Sequence, residues 1–536
     1  MKLGIGETMD ALASTVATRN GVEIRHLLAA GPERVLEKIA RDDPAALERI
    51  PEDDLDHIVD WLISSALREE DWLGRTDVRG RPLKLMKCGS ISRLKHEADK
   101  AMRRWNSASP APSGEGEETE MELADGFRLV RLVTPEALDA ESALMGHCVG
   151  NGSYDHPLRR GEIAIYSLRD GKGRSHVTIE ENAFTGDLVQ VHGKQNRPPL
   201  ERYVELLVPW LNERHRQACL RRVPGQLRHP NLERLPQRFA RDRTGVIVDL
   251  LELAPGDRFD GDLMFRVFDD GPVFALPMAE GVTVDGAICV LAHRRRGDGG
   301  MRATGDLQPV HCPVARPEEG GNPMELRFPR RLSVRGMVTV KGFRTHLDVE
   351  ADTIHLEHCV LTSLPEEIGT EVVMEQCRIE TPTAGDVSCR KGMVMCGCGT
   401  VEIGGRMSVA GSLVFMGGRY YGGERDMLAI GGGLDVALDA KLSDCKADIR
   451  GLTKAGGRLS LDSMQIAGFG DHVDVGGNLT LFNLTVERMP GSLSVAGDAE
   501  VRQCDIDRWP DGIDVAGDLR TEAVRPVAAT AHARRL

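Results

Sequence analysis

A periodicity of about twenty residues restricts the C-terminal half of this chain more than any other feature. Phe328-Pro329, Met489-Pro490 and Trp509-Pro510 are each followed by a Val (Val334, Val495, Val515) and then a Gly (Gly336, Gly497, Gly517) at the same offsets. Val475 and Gly477 repeat the pattern one unit before Val495 and Gly497. A second half-motif interleaves: Ile354-His-Leu356-Glu-His-Cys359, Val372-Val-Met374-Glu-Gln-Cys377 and Ala499-Glu-Val501-Arg-Gln-Cys504 each place an apolar pair ahead of a Cys. Short alternating strands of this kind cannot bury an apolar face alone, and stacking successive units builds one continuous core. Gly and Val dominate and helical stretches are missing. The pattern therefore predicts an all-β solenoid over residues 250–520 rather than a leucine-rich horseshoe, with the recurring Cys facing inward on its counterparts.

Composition sets the remaining bounds. At 536 residues the chain is too long for one core, so several domains are expected. A formal charge of −14 argues against a surface coated for nucleic acid, although a local basic patch remains compatible with it. No apolar run reaches the ~18 residues a membrane span needs. The N-terminus carries Glu7 and Asp10 and lacks a secretory apolar core, so no membrane partner is expected. Twelve scattered Cys read as reduced thiols in a cytoplasmic protein. Cys377, Cys389, Cys396 and Cys398 lack paired zinc-knuckle spacing, so no metal and no cofactor are expected.

The fold class read from the chain is multidomain: an N-terminal α-helical domain, an α+β domain and the C-terminal β-solenoid. Residues 1–106 read as helical. Leu55, Ile58, Val59, Leu62, Ile63, Ala66 and Leu67 form one apolar stripe, and Gly31-Pro32 is expected to split an earlier helix. Ser90 to Trp105 is a basic helix, read as a solvated face. The Ser-, Pro-, Gly- and Glu-rich stretch 107–120 reads as a disordered linker. The α+β domain spans 121–223, with a helix opened by Thr134-Pro135-Glu136 and ending near Gly146. A basic connector follows over 224–249, and residues 521–536 read as a tail.

The α+β segment holds the dense cluster of reactive side chains. Strand alternation puts His176, Thr178 and Glu180 on one face of a hairpin with Gln190 and His192. Keeping Val177, Ile179, Val189 and Val191 together on the other face suggests that His176 pairs with His192 and Thr178 with Gln190. His147 and Cys148 fall just past a helix C-terminus, an end that does not favour a thiolate. If their loop overlies the polar face, Cys148 becomes a candidate nucleophile in a catalytic set with the adjacent His147, with His176 or His192 as base and Gln190 or Asn196 polarising a carbonyl or amide. The alternative is a packed thiol beside a binding surface.

Several short motifs agree in order with a known family. His147-Cys148-Val149-Gly150, Tyr154, the Ile165–Arg169 strand with Ser167, Thr178-Ile179-Glu180 and Gln190-Val191-His192-Gly193-Lys194-Gln195-Asn196 together resemble the PcfJ-like domain family. The resemblance covers residues 127–212 and departs at Asn151-Gly152, which lengthens the path to Tyr154. Proteins of that family are encoded on conjugative plasmids, phages and related mobile elements. The resemblance implies an accessory protein whose ligand-binding residues are Tyr154, Ser167, Thr178, Glu180, Gln190, Gly193, Lys194 and Asn196, joined by the neighbouring Arg197. The C-terminal repeats are similar to repeats of phage and effector-type proteins. Three functional readings follow. The first is a phage or mobile-element accessory protein whose α+β domain binds nucleic acid or a small polar ligand and whose solenoid docks a protein partner. The second is a Cys/His-dependent hydrolase or transferase centred on Cys148. The third is a purely structural interaction protein.

Overall fold

The structure is a computed structural model that describes residues 24–50, 52–106, 114–147, 149–150, 152, 154–221, 229, 231–232, 235–267, 271–292, 323–418, 425–506 and 508–526. The chain forms two compact units, one within residues 1–236 plus 245–247, the other within 237–244 plus 248–536.

The first unit joins the N-terminal helices to a mixed α/β layer. Helices α1 (Glu52–Leu67) and α2 (Ile91–Asn106) pack on the earlier helical turns around Trp61, Leu62, Leu85, Leu94 and Trp105. The expected break at Gly31-Pro32 does not occur. Residues Ala29–Glu33 widen into a π-type turn between the helices Arg25–Leu28 and Arg34–Asp42, and the junction residues keep helical angles. Widening the hydrogen-bond step gives the proline ring room inside the helix. The basic side chains of α2 meet acids within the unit: Lys95 pairs with Asp54 and Arg104 with Glu70.

Five antiparallel strands follow in sequential order: β1 (Glu117–Glu122), β2 (Arg128–Leu132), β3 (Ile163–Arg169), β4 (Ser175–Asn182) and β5 (Leu188–His192). Strand β1 corrects the expected linker. Residues 107–113 lie outside the described set, but Glu117, Glu118 and Thr119 are paired with β2, and Glu117 bonds the buried Arg169 at 2.7 Å. Ladder bonds and that ion pair offset the ordering entropy the composition argued from. Helix α3 (Pro135–Met145) begins as its sequence demands. Thr134 Oγ1 accepts from the Ala137 amide at 3.2 Å, Pro135 sits in the first turn, and Gly146 closes the helix in the left-handed region at φ 71°. Helix α4 (Glu201–Arg221) carries Pro209 within it.

The second unit contains the β-solenoid. Parallel pairing runs from Arg258–Asp260 to Leu519–Glu522, so Thr521 and Glu522 belong to the last strand rather than to a tail. Among the described residues every strand pair in the solenoid sheets is parallel, and strand n pairs with its counterpart one turn away. The sequence period is the pairing register: Val475 sits beside Val495 and Val495 beside Val515. The half-motif behaves likewise, with Ile354 beside Val372 and Leu479 beside Ala499. The recurring Cys359, Cys377 and Cys504 are fully buried, as are Cys445, Met464 and Leu484 at the same corner of other turns. The residue just before each of these occupies the left-handed region, with φ of 52–54° at His358, Gln376, Asp444, Ser463, Asn483 and Gln503. One corner of the coil thus repeats a conformation that non-glycine residues rarely hold.

Candidate functional site

Glu141 organises the site. It lies on the buried stripe of α3 with Leu138 and Met145 and is 0% exposed. A carboxylate there survives only if its lone pairs are used. They are: Ser167 Oγ donates to Oε1 at 2.8 Å, Thr178 Oγ1 donates to the same oxygen, Ser175 Oγ donates to Oε2 at 2.7 Å, and Arg169 Nη1 lies 2.7 Å from Oε2.

This network fixes the state of His147. The Thr178 hydroxyl has one proton and gives it to Glu141, because a carboxylate only accepts. The 2.8 Å contact between Thr178 Oγ1 and His147 Nε2 must then be donated by the imidazole. His147 is therefore the Nε2–H tautomer, and Nδ1 is left as a bare lone pair with no hydrogen-bond partner among the described residues. Burial, then the neighbouring His192, pulls its pKa down from 6.5 to about 3, so the ring stays neutral near pH 7.

The loop after α3 is built by close packing. The Gly150 amide donates to Ser142 Oγ at 2.6 Å, and a Cβ at Gly150 would sit 2.7 Å from the Asp139 backbone. Only glycine lets the loop lie this tightly on α3. The loop turns Val149 and then Tyr154 toward strand β4, where the Tyr154 hydroxyl donates to Glu180 at 3.4 Å. Cys148 lies outside the described residues, so the thiol candidate has no structural account.

The hairpin register differs from expectation by two residues. Thr178 pairs with His192 and Glu180 with Gln190. Glu181 pairs with Leu188, which leaves Val189 as an extra residue in a bulge. Leu188 takes the core position, and Val189 turns outward. His176 consequently leaves the group. It packs on Tyr203 with ring centroids 4.6 Å apart and on Phe127, and its Nε2 lies 3.3 Å from Asp170. Burial opposes ionisation of Asp170, but the Arg174 amide and guanidinium and His176 hold its carboxyl well below the usual range.

His147, Tyr154, Thr178, Glu180, Gln190, His192 and Asn196 do converge, around a pocket of about 600 Å³ including its open mouth. Ser167 stands behind it on Glu141, and Gly193 is buried with its amide bonded to Arg197 O at 2.7 Å. Lys194 and Arg197 are exposed and do not line it. Asn196 is delivered by two successive left-handed residues, Gln195 (φ 59°) and Asn196 (φ 55°), and its Nδ2 approaches His57 Nδ1 at 3.5 Å. Two such residues in succession store backbone strain beside the pocket.

Sequence reasoning missed the remaining lining. His57 and Asp60 come from α1, and His229 from beyond α4. His57 Nε2 lies 3.0 Å from Asp99 of α2, and that hydrogen bond, against burial, holds the Asp99 carboxyl low. A signal existed for Glu141, a carboxylate on the apolar stripe of α3 with Leu138 and Met145. No Lys or Arg lines the pocket among the described residues. The pocket histidines do not form a three-ligand metal set there, the sole such grouping among described residues being His355, Glu357 and Glu375 of the solenoid.

The fold and site define a helix-buttressed antiparallel α/β unit with a histidine-lined polar pocket, joined in one chain to a parallel β-solenoid. Residues 84–208 match the family model described as PcfJ-like protein, so this segment is a PcfJ-like domain. The match starts well before the motif-bearing stretch and takes in α2 with Asp99. No curated protein and no solved structure matches the chain. Among the described residues no helix is long and apolar enough to cross a membrane.

Proposed function

We propose that this protein is an accessory factor of a phage or mobile element whose PcfJ-like domain binds a small polar ligand in the histidine-lined pocket, while its solenoid offers a docking face for a protein partner. The observation that carries the pocket reading is the Glu141–Thr178–His147 relay. It holds a neutral imidazole in one tautomer and leaves Nδ1 as an acceptor at a pocket wall. A buried acceptor of this kind is satisfied by a donor from a ligand or by water. The domain resemblance supplies the mobile-element context. On the solenoid, Met264, Met416 and Phe482 point outward from the long sheet and remain exposed, which suits an interaction face.

A small ligand is favoured over nucleic acid. Phosphate backbones are bound by Lys and Arg, and the pocket lining has neither among the described residues. Of the connector arginines, Arg238 pairs with Asp249 and Arg243 with Asp260, while Arg222, Arg228 and Arg234 lie outside the described residues. The test is a thermal-shift screen of small polar metabolites on the full chain, repeated on Asn196→Ala. A ligand that raises the Tm of the wild type but not of the variant is expected. If no compound separates the two proteins, the pocket reading is wrong.

A further inference from the structure

We infer that the outer face of the solenoid carries a binding site for a divalent transition-metal cation of the zinc class, with His355, Glu357 and Glu375 as its ligands. The inference goes beyond the pocket and docking readings and depends on neither.

Strand pairing assembles the ligand set. His355 and Glu357 lie two apart in the strand Glu350–Glu357, so both point away from the core that Ile354 and Leu356 fill. Glu375, in the strand one turn on, is the register partner of Glu357. One ligand atom from each of the three side chains falls within 4.8 Å of the other two. Stacking like on like suits the apolar columns inside the coil, but carboxylates on neighbouring rungs repel. Lys341, the partner of Glu357 on its other side, takes Glu357 Oε2. Among the described residues no Lys or Arg pairs with Glu375. Its ion-pair partner is His355, with Nε2 3.7 Å from Oε1. That gap is too long for a hydrogen bond. It is near the ~3.4 Å that separates two ligand atoms each about 2.1 Å from one tetrahedral zinc ion.

The histidines supply an independent sign of a ligand. His355 Nε2 is shut off from solvent and has no hydrogen-bond partner among the described residues. His358 flanks the set and is only 7% exposed. Its Nε2 lies 3.8 Å from Glu357 Oε1, and its Nδ1 is also buried without a partner among the described residues. A buried imidazole nitrogen that meets neither protein nor water is costly, and a metal ion uses its lone pair. Imidazole with carboxylates selects zinc-like metals over Ca²⁺ and Mg²⁺, which take oxygen ligands. The Glu375 side chain is 49% exposed, which gives an ion a path from solvent and leaves a coordination position for water. The cysteine spacing that argued against zinc does not bear on this set, which uses no thiol.

The experiment is isothermal titration calorimetry on the full chain at pH 7.5, after dialysis against EDTA and then buffer, with Zn²⁺, Ca²⁺ and Mg²⁺ as separate probes. Wild type is compared with His355→Gln and Glu375→Gln, each checked for folding by circular dichroism. The Glu375 side chain is half exposed, so Glu375→Gln keeps the test alive if His355→Gln fails to fold. The pocket histidines are a second destination for zinc, so His147→Gln is titrated alongside. The expected result is Zn²⁺ binding at a site that a folded solenoid variant weakens by roughly 10-fold or more, with Ca²⁺ and Mg²⁺ binding far more weakly. Zn²⁺ binding that the solenoid variants keep and His147→Gln loses assigns the metal to the pocket and overturns the inference. Binding that none of the three substitutions changes overturns it too. Ca²⁺ or Mg²⁺ binding as tight as that of Zn²⁺, and equally sensitive to Glu375→Gln, overturns the metal class. A wild type that binds no Zn²⁺ overturns the inference outright. The pocket reading stands or falls separately, on the metabolite screen with Asn196→Ala.

Discussion

The two units keep opposite things in their interiors. The solenoid stacks like on like: Leu442, Leu461, Leu481 and Val501 form one inward column, and its thiols act as small apolar groups. Burial pushes the Cys398 and Cys445 thiols up to about 12, so they stay protonated and inert. The PcfJ-like unit instead buries Glu141, Arg169, Thr178, Glu180 and His147. The solenoid interior is stabilised by area removed from water and tolerates exchange among apolar side chains. The polar interior is stabilised only while every partner is present. The first arrangement makes a scaffold, and the second makes a site.

The sharpest way to break this contrast is acid. The His147 pKa lies near 3 in the folded protein and near 6.5 when unfolded. The unfolded chain therefore binds the extra proton between those values, and stability falls as pH drops from 6.5 toward 3. Across that window the loss is on the order of 5 kcal/mol. Trp61, Trp72, Trp105 and Trp210 all lie in the first unit, so urea melts followed by tryptophan fluorescence report mainly on it. His147→Gln should flatten that part of the pH dependence. An unchanged slope would mean that the ring is not held neutral.

Glu141→Gln comes next. It puts an amide donor among three hydroxyls and removes one of the two carboxylate partners of the buried Arg169, leaving Glu117, which should cost about 4 kcal/mol in the same melts. Solenoid strand content by circular dichroism should persist. Leu461→Ala should cost about 3 kcal/mol and act on the solenoid alone, since its side chain is 1% exposed in the inward column. The smallest effect belongs to the corner. Gln503→Val should lower stability by about 1 kcal/mol because β-branching is unfavourable at φ 53°, whereas Gln503→Gly should change it by less than about 0.5 kcal/mol. Equal effects of the two substitutions would show that the left-handed conformation is not required.

The solenoid was legible because its period in sequence is its period in space, so Val475, Val495 and Val515 announce their own pairing. The site was legible only in part. Alternation grouped Thr178, Glu180, Gln190 and His192 correctly, but equal spacing of the valines hid the bulge at Val189, and with it the departure of His176. His57, Asp60 and His229 reach the pocket from elements distant in sequence, where no local pattern points toward it. Glu141 was readable as a charged residue on an apolar stripe, but its four partners come from other elements, Ser167 and Arg169 from β3 and Ser175 and Thr178 from β4. Hydrogen-bond counting in three dimensions was needed to see that they are complete.

The repeated left-handed corner has a further consequence. Because each turn closes on its own backbone geometry, turns of unequal sequence length can share one stack. Ile288 pairs directly with Val338, and Leu413 with Ala440, although the steps in sequence are longer than the usual period of about twenty residues. Length is then a counted property of this fold. Whole turns could be gained or lost in evolution in steps of about 4.8 Å, the strand spacing, making the solenoid an adjustable ruler whose graduations are single repeats.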